Sequence, residues 1–175
     1  AFGEKYANSA NVGVLDLVAS LKWVNENIAN FGGDPNNVTI AGQSGGGGKT
    51  STLMAMPSAK GLFHRAIVQS GSTIRQMEGS NSPAVCKAFL EALGLNPETP
   101  AQQLAEQLAA LPYEDVLAAG NAAGRKAGGR FSPVVDGTVL PQHPFDPAPE
   151  ISRDVPMLIG SNLNEFCYTN NVEFT

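Results

Sequence analysis

The sequence predicts an α/β fold with a doubly wound, mostly parallel sheet. Two short β-branched and apolar runs, Val38 to Ile40 and Arg65 to Gln69, are typical of buried strands. A helix-forming stretch, Thr50 to Met56, lies between them. A strand, a helix and a strand in this order indicate a right-handed parallel crossover, which is the unit of a doubly wound sheet.

A first amphipathic helix precedes these strands. Its apolar residues recur at helical spacing and form one stripe that can pack on a sheet: Val14, Leu17, Val18, Leu21, Val24 and Ile28. The run Gly32 to Pro35 is expected to stop this helix and turn the chain toward the first strand. Trp23 lies beside the stripe, so we expect it to pack in the core.

Further elements follow along the chain. Helices are predicted over Ala84 to Leu93 and, as one or two short segments, over Ala101 to Ala119. The glycine- and alanine-rich run Gly120 to Gly129 favours a surface loop, and Phe131 to Val135 and Pro156 to Ile159 favour strands. The sequence contains no internal repeat and no linker long enough to separate two domains.

A serine follows the first predicted strand in the pattern Gly42-Gln43-Ser44-Gly45-Gly46. A serine at a sharp turn from strand to helix adopts strained backbone angles and projects its hydroxyl above the sheet, and the two outer glycines are expected to leave room for that turn. Ser44 is therefore a candidate nucleophile.

A phosphate-binding loop and a flexible glycine-rich loop are the alternatives at this position. The phosphate-binding motif requires a glycine five residues before its Gly-Lys-Ser/Thr end, but that spacing from Gly48-Lys49-Thr50 reaches Gln43. A nucleotide-binding domain is therefore disfavoured.

Several segments together resemble the type-B carboxylesterase family of α/β-hydrolases, which includes cholinesterases and bacterial para-nitrobenzyl esterases. The resemblance runs from Asn11 to Phe166. Its segments are Asn11 to Asp16, Leu21 to Ile28, Phe31 to Pro35, Val38 to Ile40, the serine pattern, and Phe63 to Ser72. It implies the α/β-hydrolase fold and hydrolysis of a small-molecule carboxylic ester through an acyl-serine intermediate, without a cofactor or metal.

The resemblance also assigns roles to individual residues. Ser44 is the nucleophile, Gly45 supplies one N–H group of the oxyanion hole, and Glu165 matches the family's acid. Ser70 matches a position that can hydrogen-bond the acid. Gln43 stands where many relatives have glutamate, so it is expected to support the site or face the substrate without carrying a charge.

Asp136 is a rival to Glu165 as the acid. The pair Asp136-Gly137 is better explained as a turn.

The base is missing from this assignment. The chain has two histidines, and His64 and His143 both precede Glu165, whereas the fold has the order serine, acid, histidine. We expect the catalytic histidine beyond Thr175 and a glycine-rich oxyanion loop before residue 1. Residues 1–175 would then be the central part of a single α/β-hydrolase domain and inactive alone. A catalytically dead relative that serves as an interaction domain is the other alternative.

Composition excludes some partners. The net charge of −5 argues against nucleic acid or an anionic membrane as a partner, and no apolar stretch approaches the ~20 residues of a spanning helix. Cys86 and Cys167 are expected to be free thiols rather than a disulfide. A cytoplasmic and a secreted bacterial enzyme both fit, and the sequence leaves the oligomeric state open.

Overall fold

The computed structural model describes residues 4–127 and 131–165. Five strands and five α-helices lie within these ranges. The strands are β1 (Thr39–Gln43), β2 (Arg65–Gln69), β3 (Met77–Glu78), β4 (Val134–Val135) and β5 (Met157–Gly160), and the helices are α1 (Val12–Asn27), α2 (Gly45–Met54), α3 (Ser82–Ala92), α4 (Ala101–Ala109) and α5 (Tyr113–Lys126).

These elements form two compact units. The first draws its described residues from Ala1–Asp16 and Gln76–Gln142, and the second from Leu17–Arg75 and His143–Thr175. The boundary between them falls inside α1.

Helix α1 buries Val14, Val18 and Leu21, as its apolar stripe predicts. A short 3₁₀ turn, Ile28–Phe31, continues it. Gly32 then adopts a φ of 81°, its N–H donates to the Ala29 carbonyl at 3.2 Å, and the Gly33 N–H donates to the Ile28 carbonyl at 3.0 Å. The left-handed glycine satisfies the last carbonyls and ends the helix, so the predicted stop is confirmed.

The prediction that Trp23 packs in the core is wrong for this structure. Its side chain is 50% exposed and packs on the exposed ring of Phe31, with the ring centroids 5.8 Å apart. At about 100° per residue, Trp23 lies about 200° around the helix from Leu21, which is away from the buried stripe.

The second unit is built on a three-stranded sheet in the order β1-β2-β5, and both pairs are parallel. The predicted strand, helix and strand are therefore confirmed, with α2 as the connection between β1 and β2. The helix begins at Gly45 and not at Thr50 as the composition suggests. Gly47 and Gly48 are buried, and a Cβ on Gly48 would lie 2.7 Å from Thr73 Oγ1, so close packing outweighs the poor helix propensity of glycine here.

The two faces of this sheet differ in burial. One face is buried in β1 and β2, where it includes Ile40, Ala66 and Val68, and Gly42 lies on it against α2. On the opposite face, Leu158 of β5 is 62% exposed. Every residue of β5 is exposed in this structure.

The first unit is organised around a buried asparagine. Asn11 is 1% exposed; its Oδ1 accepts from the Val134 N–H, and its Nδ2 donates to the Val134 carbonyl and to Asp136 Oδ2, each at 2.9 Å. Asp136 Oδ1 in turn accepts from the backbone N–H groups of Thr138 at 2.9 Å and Leu140 at 3.1 Å. The carboxylate thus closes a turn, as its Asp-Gly sequence predicts.

The remaining predictions for this unit are partly wrong. The run from Gly120 is not a loop as far as Lys126, because α5 continues through it and buries Ala119 and Ala123. Strand β4 has only two residues, although the sequence favours a strand from Phe131.

The last turn of α5 also carries an ion pair. The Lys126 ammonium donates to Glu91 at 2.8 Å, which lowers the pKa of Glu91. Gly128 to Arg130 lie outside the described residues.

No helix in the described part of the chain combines the length and the apolar character needed to cross a bilayer.

Candidate active site

Ser44 occupies the turn between β1 and α2. Its backbone angles are φ 52° and ψ −119°, a region that residues other than glycine rarely adopt, and the residue is exposed. Its N–H donates to the Gln69 carbonyl at 2.9 Å, and its carbonyl accepts from the Gly48 N–H at 3.1 Å. These bonds hold both sides of the strained residue, so the strand-to-helix elbow predicted from the sequence is present.

The two outer glycines of the serine pattern are not equivalent. A Cβ on Gly42 would overlap the Gly46 carbonyl group and lie 2.7 Å from the Gly47 nitrogen, so a side chain there would collide with the backbone of α2. A Cβ on Gly46 would have nothing within 4 Å. The expectation of a steric requirement is therefore right for Gly42 and wrong for Gly46.

A second serine with positive φ follows the neighbouring strand. Ser70 has a φ of 49°, its N–H donates to the Gly160 carbonyl at 2.8 Å, and its side chain hydrogen-bonds the Glu165 carboxylate. Glu165 Oε1 also accepts from the Asn162 N–H at 2.6 Å. The hydrogen bond from Ser70, followed by that from Asn162, holds the pKa of Glu165 below its usual value.

The strand register brings the predicted site residues to one edge of the sheet. The last residues of the three parallel strands are in register: Gln43 with Gln69, and Gln69 with Gly160. Ser44 and Ser70 leave the sheet directly after these positions, and the loop that carries Glu165 leaves beside them. This carboxyl edge is where ligands bind in open α/β sheets. Gln43 is exposed next to Ser44, and Gly45 is the first residue of α2.

His64 lies at the other edge. It precedes β2. Its Nδ1 accepts a hydrogen bond from the Val38 N–H at 3.2 Å, and its backbone N–H donates to the Val38 carbonyl at 2.8 Å. A five-residue strand spans about 17 Å, so β2 separates His64 from the serines at its far end. His64 therefore pins the start of β1 and does not reach Ser44.

The other histidine, His143, is buried with 9% of its surface exposed.

The glycine run after Ser44 does not form a phosphate-binding loop. Gly45 to Gly48 make the first turn of α2, and the Lys49 ammonium turns back toward the Gly45 carbonyl at 3.5 Å. Within residues 4–127 and 131–165, no three His, Cys, Asp or Glu side chains cluster as a metal site would require. Cys86 is an exposed free thiol, and Cys167 lies outside the described residues.

The backbone of Gly71 packs directly on Ser44, although no pattern in the sequence predicts a role for this glycine. A Cβ on Gly71 would overlap the Ser44 carbonyl group and lie 2.5 Å from its Cα. The only signal in the sequence is the Ser70-Gly71-Ser72 run at the end of a strand, which does not indicate what the glycine touches.

Known proteins resemble this chain in sequence. The profile of the carboxylesterase family matches residues 3–175. The para-nitrobenzyl esterase of Bacillus subtilis (strain 168) is 38% identical over 171 residues, which are 94% of this chain and 33% of that protein. Human cocaine esterase is 37% identical over 165 residues, which are 94% of this chain and 28% of that protein.

Solved structures of esterases are also similar to this chain. A thermophilic para-nitrobenzyl esterase superposes with a TM-score of 0.79 at 37% identity, over 93% of this chain and 34% of that chain. A carboxylesterase of Geobacillus stearothermophilus has a TM-score of 0.79 at 40% identity, over 94% of this chain and 35% of that chain. The chain spans about a third of the length of these proteins. It belongs to the carboxylesterase family, and its fold is part of an α/β-hydrolase fold.

Proposed function

We propose that the natural polypeptide containing residues 1–175, called the parent protein below, hydrolyses carboxylic esters through an acyl-serine intermediate. The observation that carries this proposal is Ser44, an exposed serine held at φ 52° between β1 and α2. A hydroxyl projected from such a turn can approach a carbonyl carbon without obstruction. Membership of the carboxylesterase family supports the same chemistry.

The first step is attack of Ser44 Oγ on the ester carbonyl. The tetrahedral intermediate carries an oxyanion, and Gly45 offers its N–H because the first N–H groups of a helix have no partner within the helix. The positive end of the α2 dipole favours the same negative charge. Collapse of the intermediate releases the alcohol and leaves the acyl-serine, which water then hydrolyses.

Glu165 is proposed as the acid that orients the base. An ionised carboxylate can accept a hydrogen bond from an imidazole and stabilise the imidazolium that forms during attack, and the lowered pKa of Glu165 favours that ionised form. Ser70, the residue that follows β2, hydrogen-bonds the Glu165 carboxylate.

The base is proposed to lie outside residues 1–175. His64 is bonded at the opposite edge of the sheet, and His143 precedes Glu165, contrary to the chain order of the fold. Residues 1–175 would thus be the central part of a single α/β-hydrolase domain. A histidine C-terminal to them and an oxyanion loop N-terminal to them would complete the site.

Gln43 bears on the class of ester. It is exposed next to Ser44, and an amide offers hydrogen bonds but no charge for a cationic alcohol group. We therefore expect the parent protein to prefer neutral esters over choline-like esters with the same acyl chain.

The test is active-site labelling of the parent protein with a fluorophosphonate, together with hydrolysis of a p-nitrophenyl ester. Ser44→Ala should abolish both, whereas Ser58→Ala, a matched change at an exposed serine in the second unit, should leave both unchanged. Labelling of a different residue, or full turnover by Ser44→Ala, would contradict the proposal. A wild-type protein that is neither labelled nor active would instead favour an interaction domain.

A further inference from the structure

A three-residue segment, Gln69 to Gly71, contacts both of the loops that carry the proposed catalytic groups. On one side, the Gln69 carbonyl accepts from the Ser44 N–H at 2.9 Å. On the other, the Ser70 N–H donates to the Gly160 carbonyl at 2.8 Å and the Ser70 side chain bonds Glu165. The 69–71 segment therefore links the turn at Ser44 to the loop at Glu165.

Within this segment, Gly71 packs backbone to backbone. The space that a Cβ would fill is taken by the Ser44 carbonyl group, and the Ser44 Cα would lie only 2.5 Å from that Cβ. From the α2 side, a Cβ on Gly47 would lie 3.2 Å from the carbonyl carbon and oxygen of Gly71. Backbone atoms cannot avoid a clash by changing rotamer, so any side chain at Gly71 must move a peptide.

The peptide that would move is that of Ser44, whose positive φ persists only because its surroundings impose it. Its N–H bond to Gln69, its carbonyl bond from Gly48 and its contact with Gly71 are the constraints that do so. Two of these three constraints come from the 69–71 segment. A shift of this segment therefore shifts the serine hydroxyl relative to both the oxyanion donor and the base.

On the basis of the proposed function, we propose that Gly71 is a positioning residue for ester hydrolysis. It has no side chain that could touch a substrate, and it acts through the Ser44 backbone. A displacement of about 1 Å in a reacting group can lower a rate about 100-fold, so the contact should affect attack on the ester more than its binding.

The test compares Gly71→Ala with Gly13→Ala in the parent protein. Gly13 is a matched control because a Cβ there has nothing within 4 Å and the residue lies in α1. Gly71→Ala should lower kcat and the rate of fluorophosphonate inactivation together, by about 100-fold. The Ki of an unreactive ether analogue of the ester should stay within about threefold, because the binding surface is unchanged. Gly13→Ala should match the wild type in all three measurements.

A Gly71→Ala protein that unfolds cooperatively and keeps kcat within about threefold of the wild type would overturn the proposal. If this variant fails to fold, Gly47→Ala decides, since its Cβ would lie 3.2 Å from the carbonyl oxygens of Gly71 and Gly42 and would displace the 69–71 segment by only a few tenths of an ångström. A fall in kcat of about 3- to 10-fold at constant Ki supports the role of Gly71, and an unchanged kcat overturns it. The proposed function is tested separately: if Ser44→Ala keeps its activity, that function fails, whereas loss in Ser44→Ala with no effect of Gly71→Ala refutes only the role of Gly71.

Discussion

Replacement of Asn11 by alanine should destabilise the first unit strongly. The side chain is 1% exposed and makes three hydrogen bonds, two of which satisfy the N–H and the carbonyl of Val134. Alanine would leave both backbone groups of this buried residue without that partner. A buried polar group that loses its partner costs about 1–3 kcal/mol, so for the two groups we expect a loss of about 2–6 kcal/mol in the free energy of unfolding. This is a large part of the ~5–15 kcal/mol that stabilises a typical domain.

Urea unfolding of the parent protein, followed by circular dichroism, measures this loss. Asn8→Ala is the matched control, because Asn8 is exposed and its side chain does not cap the following turn. The control should change the free energy of unfolding by less than about 0.5 kcal/mol. If Asn11→Ala costs no more than Asn8→Ala, the hydrogen bonds to Val134 do not stabilise the fold and the reasoning is wrong.

In the variant Asn11→Asp, the loss of stability should depend on pH. Asn11→Asp places a carboxylate where the amide now donates to Asp136 at 2.9 Å. Burial and the neighbouring charge would raise the pKa of the new carboxyl in the folded state, so the variant is penalised above the unfolded pKa of about 4. Its deficit relative to the wild type should therefore shrink as the pH falls from 7 toward 4. A deficit that grows over this range would contradict the structure.

Four further results are expected. The 175-residue chain alone should show no saturable hydrolysis of a p-nitrophenyl ester, because the proposed base lies outside these residues; turnover that Ser44→Ala abolishes would refute this. The same chain should self-associate in sedimentation experiments through exposed strand β5, and Leu158→Lys should reduce the association, whereas a monodisperse wild-type monomer would refute the idea. In the parent protein, Gln43→Glu should raise the kcat/KM ratio of a cationic to a neutral ester with the same acyl group by about fivefold, as expected for ~1 kcal/mol of attraction, and an unchanged ratio would show that residue 43 does not face the alcohol. Ser70→Ala should raise the pKa of Glu165 toward its usual value in a carboxyl NMR titration, since the largest cause of the lowering is removed; an unchanged pKa would show that Ser70 does not bond the carboxylate in solution.

The sequence predicts the strands of the second unit well and the helices less well. Strands β1, β2 and β5 follow from short apolar runs bounded by turn residues, which are typical of strands. The start of α2 could not be predicted, since glycine disfavours helices and only packing against neighbouring backbone makes it suitable there. The continuation of α5 to Lys126 could not be predicted for a similar reason, since burial of its small residues stabilises the helix and the local sequence does not show that burial.

The residues of the candidate site also differ in how far the sequence predicts them. Ser44 is identifiable from a local pattern, because the elbow needs a glycine two residues before the serine. Glu165 could be assigned only from the resemblance, since a single glutamate after a strand is ordinarily a surface charge. The contact of Gly71 with Ser44 depends on the pairing of two strands, which no local pattern encodes.

The position of β2 between β1 and β5 fixes a length scale for the proposed chemistry. Adjacent strands lie about 4.8 Å apart, so Ser44 and the loop of Glu165 leave the sheet about 10 Å from one another, before their side chains lean inward. An imidazole with a hydrogen bond at each end spans about 7 to 8 Å. If β1 and β5 were neighbours, serine and carboxylate would meet directly, and no ring could enter. In the proposed mechanism, the intervening strand is therefore a spacer whose width admits one histidine.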